Sequence, residues 1–278
     1  SVSMKISKYL SPQVYKSIFR GERDAVIHTE RKKLTIFFSD IKDFTVVSER
    51  LQPEDLTELL NEYFTEMEKI AQDYGATVDK FIGDAILAFY GDPETKGAQE
   101  DAWACVEMAI AMQRRLKQLQ SEARRRGIER PFQARMGINT GYCNVGNFGS
   151  HDRMDYTIIG AEANLAARLQ AIAEPGGIVM SYETYALVRE RVRAKPLASI
   201  TLKGITREIV PYAIDPAEID AAAEETDVLE TMSDRLSLHL NLTAADENDR
   251  REIVSALEEA LARVRQRLPA AGTNQVPS

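Results

Sequence analysis

Cysteine is scarce: Cys105 and Cys143 are the only two in 278 residues and allow at most one bridge. The chain is therefore no disulfide scaffold, and a reducing compartment suits it best. No apolar run approaches the roughly 18–20 residues of a membrane-spanning helix, and the polar start, Ser1 to Ser7, has no secretory signal pattern. Excess positive charge is missing too: 35 basic against 43 acidic side chains give a formal charge of -8 and a pI near 5.2. That balance argues against nucleic acid as a partner. Any anionic ligand must be held by local groups, since the overall field repels it. No short-period repeat is visible, and His28, His151 and His239 show no metal-ligand spacing. What remains is an ordinary globular mixture, 44% hydrophobic and 28% charged. A chain of this length can bury a sizeable core without disulfides or a structural metal.

Three regions differ in composition: residues 1–30, 31–214 and 215–278. The first reads as an N-terminal arm with a short amphipathic helix, Ser11 to Phe19, Pro12 standing in its first turn. The second alternates strand and helix signals. Leu34–Phe38 is a continuous apolar run, the mark of a strand buried on both faces. Leu56, Leu59, Leu60, Tyr63, Phe64, Met67 and Ile70 form one stripe of a helix spanning Pro53 to Tyr74, with Gly75 just past its end. Thr77–Phe81 and Ala85–Tyr90 read as strands around a tight turn holding Gly83 and Asp84. A second helix runs from about Glu100 to Arg126. Phe132, Ala134, Met136 and Ile138 alternate with other residues as in a half-buried strand, and Gly141 and Gly146 punctuate the next stretch. Tyr156–Ile159 is a short strand, followed by a helix from Glu162 to Ala173. Ile178–Ser181, a helix to about Val192, and strands near Ser199–Leu202 and Ile209–Ala213 complete the region. The last region is Ala/Glu-rich, with two helical patterns separated by Asn241–Asp249; Ile253, Leu257, Leu261, Val264 and Leu268 carry the second. The class is α/β with a mixed sheet and a helical extension at each end.

Two carboxylates stand out. Asp40 follows the buried run at its carboxyl end, where ligand sites of open α/β sheets collect. Asp84 sits in the turn between two strands. Taken singly, Asp40 reads as a helix cap and Asp84 as a turn former. Placed together at one sheet edge they would repel unless a proton or cation separates them, and a hard divalent cation such as Mg²⁺ suits such a pair plus substrate phosphates. Asn164 and Arg168 lie one helical turn apart on one face, while Leu165, Leu169 and Ile172 mark a different, buried face. They fit a solvated surface or a site for phosphate and ribose. Lys80, inside a strand between Asp79 and Phe81, is an edge charge or a ligand-facing group; Lys203 is ambiguous in the same way. The cysteines read as buried small hydrophobes.

The ordered segments Phe37-Phe38-Ser39-Asp40-Ile41-Lys42-Asp43-Phe44-Thr45, Asp79-Lys80-Phe81-Ile82-Gly83-Asp84-Ala85, Gly137-Ile138-Asn139-Thr140-Gly141, Tyr156-Thr157-Ile158-Ile159-Gly160 and Asn164-Leu165-Ala166-Ala167-Arg168-Leu169 resemble the class III nucleotidyl cyclases, specifically bacterial adenylate cyclases. The resemblance covers residues 31–214. It implies a ferredoxin-like domain whose mixed, mainly antiparallel sheet is packed by helices, acting as a homodimer with active sites at the subunit interface. It further implies two Mg²⁺ or Mn²⁺ ions per site on Asp40, Asp84 and the Ile41 carbonyl, with Phe44 and Thr45 beside the substrate. The partner subunit supplies the rest: Lys80 and Thr157 select adenine, Asn164 and Arg168 orient ribose and stabilise the transition state, and Lys203 meets the terminal phosphates.

By the same resemblance the substrate is ATP, the product is 3′,5′-cyclic AMP with pyrophosphate, and the compartment is cytoplasmic. Thr157 resembles the threonine-bearing class IIIb members, which often respond to bicarbonate. Guanylate cyclases typically carry glutamate and cysteine at the positions of Lys80 and Thr157; a guanylate cyclase and a catalytically silent dimerising module are the rival readings. In hydrogen-bonding chemistry, Lys80 donates and suits the N1 acceptor of adenine, whereas guanine presents an N1 donor. The Thr157 hydroxyl can accept from the adenine amino group but can also donate, so it decides less. Tyr9-Leu10-Ser11-Pro12-Gln13-Val14 is similar to the linker that joins many bacterial cyclase domains to an upstream sensor or membrane module.

Overall fold

A computed structural model describes residues 12–21, 26–127, 132–150, 152–201, 208–220, 228–233, 236–241 and 247–266. Helix α1 (Pro12–Phe19) leads to β1 (His28–Ile41), whose second half holds the apolar run. Then come α2 (Phe44–Arg50), α3 (Pro53–Asp73), β2 (Thr77–Ile82), β3 (Ala85–Tyr90), α4 (Ala98–Arg125) and β4 (Ala134–Gly149). β5 (Met154–Ile159), α5 (Ala161–Ile172), β6 (Ile178–Met180), α6 (Tyr182–Val188), β7 (Ala194–Pro196), β8 (Tyr212–Ile214) and α7 (Pro216–Asp220) complete a compact unit within Ser1–Ala221. The sheet runs β2-β3-β1-β4-β6-β8-β7, with β5 also pairing β4. Neighbours are antiparallel except β4 with β6. The β1–α3–β2–β3–α4–β4 succession, with spatial order β2-β3-β1-β4, is the split βαβ arrangement of a ferredoxin-like domain, as the resemblance implies.

Both faces of this sheet are covered, which is why its central strands read as unbroken apolar runs. In β3, Ile86, Ala88 and Tyr90 join a core with Tyr63 and Met67 of α3 and Cys105, Met108 and Met112 of α4. Leu87 and Phe89 face the other way, packing with Leu34 and Ile36 of β1, Cys143 and Val145 of β4, Ile158 of β5 and Ala166 of α5. Helix α3 forms where its sequence favours it: Pro53 opens it, Glu54 and Asp55 occupy the first turn, and Tyr63, Met67 and Ala71 form the buried stripe. Met67 is fully buried, so cutting it to alanine costs about 2–5 kcal/mol.

Four expectations need correction. Strand β4 is not half-buried: residues Met136 to Thr140 are all buried, because α5 covers the face opposite α4. Gly141 and Gly146 do not end it; β4 continues to Gly149, since β1 pairs with it from Ile41↔Ala134 to His28↔Asn147. Of the strand expected near Ser199–Leu202, the described residues keep the single bridge Ile200↔Ile209. The fourth correction concerns the unit within Ala222–Ser278, where the first helical pattern is instead an antiparallel hairpin, β9 (Val228–Ser233) and β10 (Leu236–Asn241). The strict alternation of Leu236, Leu238 and Leu240 with polar residues is a period-2 signal that outweighs the composition. The second pattern is a helix, α8 (Glu247–Gln266). Among the described residues, no helix is long and apolar enough to cross a membrane.

Candidate active site

Asp40 ends β1 and Asp84 occupies the β2–β3 turn, and the sheet order puts β3 beside β1. The turn is tight because Gly83 takes φ +62 at its first central position, the left-handed setting that a II′ hairpin requires. It brings Asp84 back over the end of β1, where its Oδ2 accepts the Ile41 backbone N–H at 2.9 Å. Asp40 pairs across the sheet with Arg135 in register, and the guanidinium binds both its oxygens, Nε to Oδ1 at 3.1 Å and Nη2 to Oδ2 at 2.8 Å. Beneath them lies the fully buried Tyr63; burial, with the two aspartates adding repulsion, pushes its hydroxyl pKa well above the usual range. The oxygen donors gathered here are the two carboxylates, hard ligands of the kind that fit Mg²⁺ or Mn²⁺. Among the described residues no three His, Cys, Asp or Glu cluster as a metal cage. Two carboxylates suit a cation that takes its remaining ligands from water and substrate phosphate.

Lys80 and Thr157 meet in a second cluster. The β2–β3 register slips between Val78 and Lys80, so Asp79 sits in a β-bulge. A bulge interrupts the side-chain alternation of a strand, and the Asp79 carboxylate and Lys80 ammonium come within 3.6 Å. Asp79 Oδ2 also accepts the Thr157 hydroxyl at 2.5 Å. Thr157 and Asp79 are buried, while Lys80 is half exposed.

Asn164 and Arg168 are exposed on α5, with Leu165 and Leu169 buried on its other side; Ile172, expected on that buried face, closes the helix and is 38% exposed. Gly137 of β4 sets the distance between helix and sheet. A Cβ there would stand 2.2 Å from the Ala166 carbonyl oxygen and 2.3 Å from the Gln170 nitrogen, so only glycine admits the helix backbone this closely. Asn139 holds the first turn, donating to the Glu162 backbone carbonyl at 3.0 Å and to its carboxylate at 2.7 Å. Arg135 Nη1 reaches the Ala171 carbonyl at 3.2 Å, linking the Asp40 cluster to the last turn of the helix that carries Asn164 and Arg168.

The chain thus groups Asp40, Ile41 and Asp84 in one cluster, Lys80 and Thr157 in another, and Asn164 with Arg168 on α5. Phe44 is half buried with its ring 6.3 Å from that of Phe132, and Thr45 is exposed beside it. Between β1 and α2, Asp43 takes a left-handed φ of +54. Lys203 and the Tyr9-Leu10-Ser11 part of the linker-like segment lie outside the described residues. Both cysteines are buried and free. Burial, with Glu162 adding repulsion, pushes the Cys143 thiol up to about 11, the setting of a structural rather than a reactive cysteine. Reading the sequence missed Arg135 and Asp79. Arg135 is a charge between the apolar Ala134 and Met136, and Asp79 follows the apolar Val78 inside a strand, a signal that marks an unusual position but names no partner.

A family model for the adenylate and guanylate cyclase catalytic domain matches residues 26–216. Among solved structures, the chain is 52% identical to the adenylyl cyclase CyaB from P. aeruginosa, with a TM-score of 0.66, covering 68% of this chain and 96% of that one. It is 33% identical to the guanylyl cyclase Cya2, with a TM-score of 0.64, covering 68% and 94%. Adenylate cyclase 1 of Rhizobium meliloti (strain 1021) is 32% identical over 188 residues, 66% of this chain. The chain spans 28% of that relative's length and 33% of the length of an Anabaena cylindrica adenylate cyclase.

Proposed function

Since the chain belongs to the adenylate and guanylate cyclase catalytic domain family, we propose that it converts ATP to 3′,5′-cyclic AMP and pyrophosphate. The observation that carries this reading is the pairing of Asp40 and Asp84 at one sheet edge, with the Ile41 amide holding Asp84. In the reaction the ribose 3′-hydroxyl gives up its proton, ultimately to solvent, and its oxygen bonds to the α-phosphorus as the bond from that phosphorus to the oxygen bridging the β-phosphate breaks and pyrophosphate leaves. Asp40, Asp84 and the Ile41 carbonyl would hold two divalent ions, Mg²⁺ or Mn²⁺. Bound there, such ions polarise the attacking hydroxyl and neutralise the leaving pyrophosphate.

The chain's own groups position the rest. Asn164 holds the ribose so that attack is in line, and Arg168 compensates charge growing on the α-phosphate. Lys80 donates to adenine N1, Lys203 meets the terminal phosphates, and Phe44 and Thr45 border the substrate. We assign the two halves of each site to two copies of the chain, the carboxylates of one facing Lys80, Thr157, Asn164 and Arg168 of the other. In support, Phe81, Ile82, Tyr142 and Ile159 are exposed on the strands around Lys80 and Thr157, an apolar surface of the kind partners cover. Residues 31–214 form the catalytic domain, 1–30 an N-terminal linker helix or arm, and 215–278 a C-terminal extension. We place the protein in the cytoplasm and, from the resemblance of Thr157 to the threonine-bearing class IIIb members, propose stimulation by bicarbonate.

The test is cyclic nucleotide formation from ATP and GTP in Mg²⁺ and Mn²⁺. ATP-selective, metal-dependent turnover is expected, and it is lost in Asp84→Ala while the dimer persists. Co-expressed Asp40→Ala and Arg168→Ala chains regain activity, since one site of each heterodimer is intact. Heterodimers without recovery refute the shared site. GTP preference makes the protein a guanylate cyclase, as Cya2 is described, and no product from a folded dimer makes it a silent regulatory module. A flat bicarbonate titration at fixed pH removes that stimulation.

A further inference from the structure

Asp79 has no part in the chemistry above, yet it touches both side chains assigned to the base. Its side chain is 1% exposed. Oδ2 accepts the Thr157 hydroxyl at 2.5 Å and faces the Ile158 N–H at 3.4 Å. Oδ1 lies 3.6 Å from Lys80 Nζ. Burial pushes the Asp79 pKa up, and the Thr157 hydroxyl, the Lys80 charge and the Ile158 amide draw it back.

A hydroxyl has one proton to give and lone pairs to accept with. Once its proton is committed to Asp79, Thr157 Oγ1 offers a purine only lone pairs. The exocyclic amino group of adenine donates, and O6 of guanine accepts. An oxygen restricted to accepting therefore takes the first and repels the second. The same carboxylate holds Lys80, a pure donor, close by. Donor and acceptor then stand side by side, matching the N1 acceptor and amino donor of adenine. The freedom of the Thr157 hydroxyl, which left it undecided from chemistry alone, is removed by a neighbour that only the bulge brings into reach.

We infer that Asp79 is a positioning residue for purine selection: by holding the Thr157 proton it makes that hydroxyl an obligate acceptor and so favours an adenine nucleotide over a guanine nucleotide. This rests on the base-reading role proposed for Lys80 and Thr157. An Asp79 that only stabilised the fold would, on replacement, lower turnover of ATP and GTP alike and leave their ratio unchanged.

The experiment compares wild type, Asp79→Leu, Asp79→Asn, Thr157→Val and the Asp79→Leu/Thr157→Val double variant as full chains. It reads the ratio of kcat/KM for ATP to that for GTP, and separately the displacement of a fluorescent nucleotide by ATP and by GTP. Asp79→Leu lowers the ratio roughly tenfold, the size of one committed hydrogen bond. Asp79→Asn keeps it near wild type, because the Ile158 N–H turns the amide oxygen toward Thr157. Thr157→Val lowers the ratio, and adding Asp79→Leu to it lowers the ratio less than Asp79→Leu does in the wild-type chain, because only the part that runs through Lys80 is left to lose. If Asp79→Leu does not fold, Asp79→Ser, whose hydroxyl is too short to reach Thr157, is read in its place. An unchanged ratio in the Asp79 variant, with Thr157→Val altering it, overturns the inference and leaves the base-reading role standing. An unchanged ratio in Thr157→Val overturns both.

Discussion

Asp40 and Asp79 are carboxylates on strands of one sheet, and they are satisfied in opposite ways. Asp40 lies at the rim, 23% exposed, and both its oxygens are held by Arg135, itself 19% exposed. Asp79 is enclosed and is held by a hydroxyl, a backbone amide and a lysine. A rim pair is reached by solvent, and its partner can be exchanged at small cost. An enclosed carboxylate cannot give up a hydrogen bond without a desolvation penalty. The contrast teaches a division of labour within the proposed site: the carboxylate proposed to change partners when nucleotide and cation arrive sits at the edge, and the one proposed to orient a neighbour sits inside.

The largest expected effect separates the two by role. Asp40→Ala removes a carboxylate on which charge stabilisation depends, and cyclic AMP formation falls by about 10²–10³ or more. Asp79→Asn, which preserves an acceptor, leaves ATP turnover within a small factor of wild type. Equal losses in a steady-state assay would break the division.

A smaller effect separates them by stability. Thr157→Val takes a donor from an enclosed carboxylate and costs about 1–3 kcal/mol. Arg135→Gln loosens a rim pair and costs about 1 kcal/mol or less. Urea unfolding of both variants measures the order, and the reverse order would break the comparison.

The smallest effect is a pH dependence. Burial is the leading cause of the raised Asp79 pKa, so the folded chain protonates this group at a higher pH than the unfolded chain does. Its ionised form therefore costs stability at neutral pH, and the cost disappears as pH falls through the raised folded pKa toward the ordinary carboxylate value. Asp79→Asn, which has no charge to bury, is expected to be more stable than wild type at pH 7, the gap closing on acidification. Melting curves across that range check it, and a gap that widens on acidification contradicts it.

The elements that carry the proposed site were legible because their signals are local, while the roles of its residues came from the family resemblance. The run before Asp40, the Gly83-Asp84 turn and the spacing of Asn164 and Arg168 against Leu165 and Leu169 each depend on residues a few positions apart. Chemistry alone also ranked Lys80 above Thr157 as a base reader, since a lysine can only donate. Arg135 was invisible because its partner lies 95 positions away and is chosen by strand register. Strand β4 was misread because alternation shows one buried face, whereas the second is buried by α5, which the close approach at Gly137 admits. The segment before Asn241 was misread because its composition favours helix, while its alternation and hairpin pairing favour strand.

By itself, then, the sequence determined most of the helices and strands within residues 31–214, and which side chains are candidates for the proposed chemistry. Those follow from side-chain periodicity, turn residues and the chemistry of each group. Tertiary structure alone decided that Arg135 neutralises Asp40, that a bulge brings Asp79 to Lys80 and Thr157, and that the Thr157 hydroxyl becomes an acceptor. Each of these rests on register or on contacts between distant segments, which acquire an energy only once the sheet has assembled.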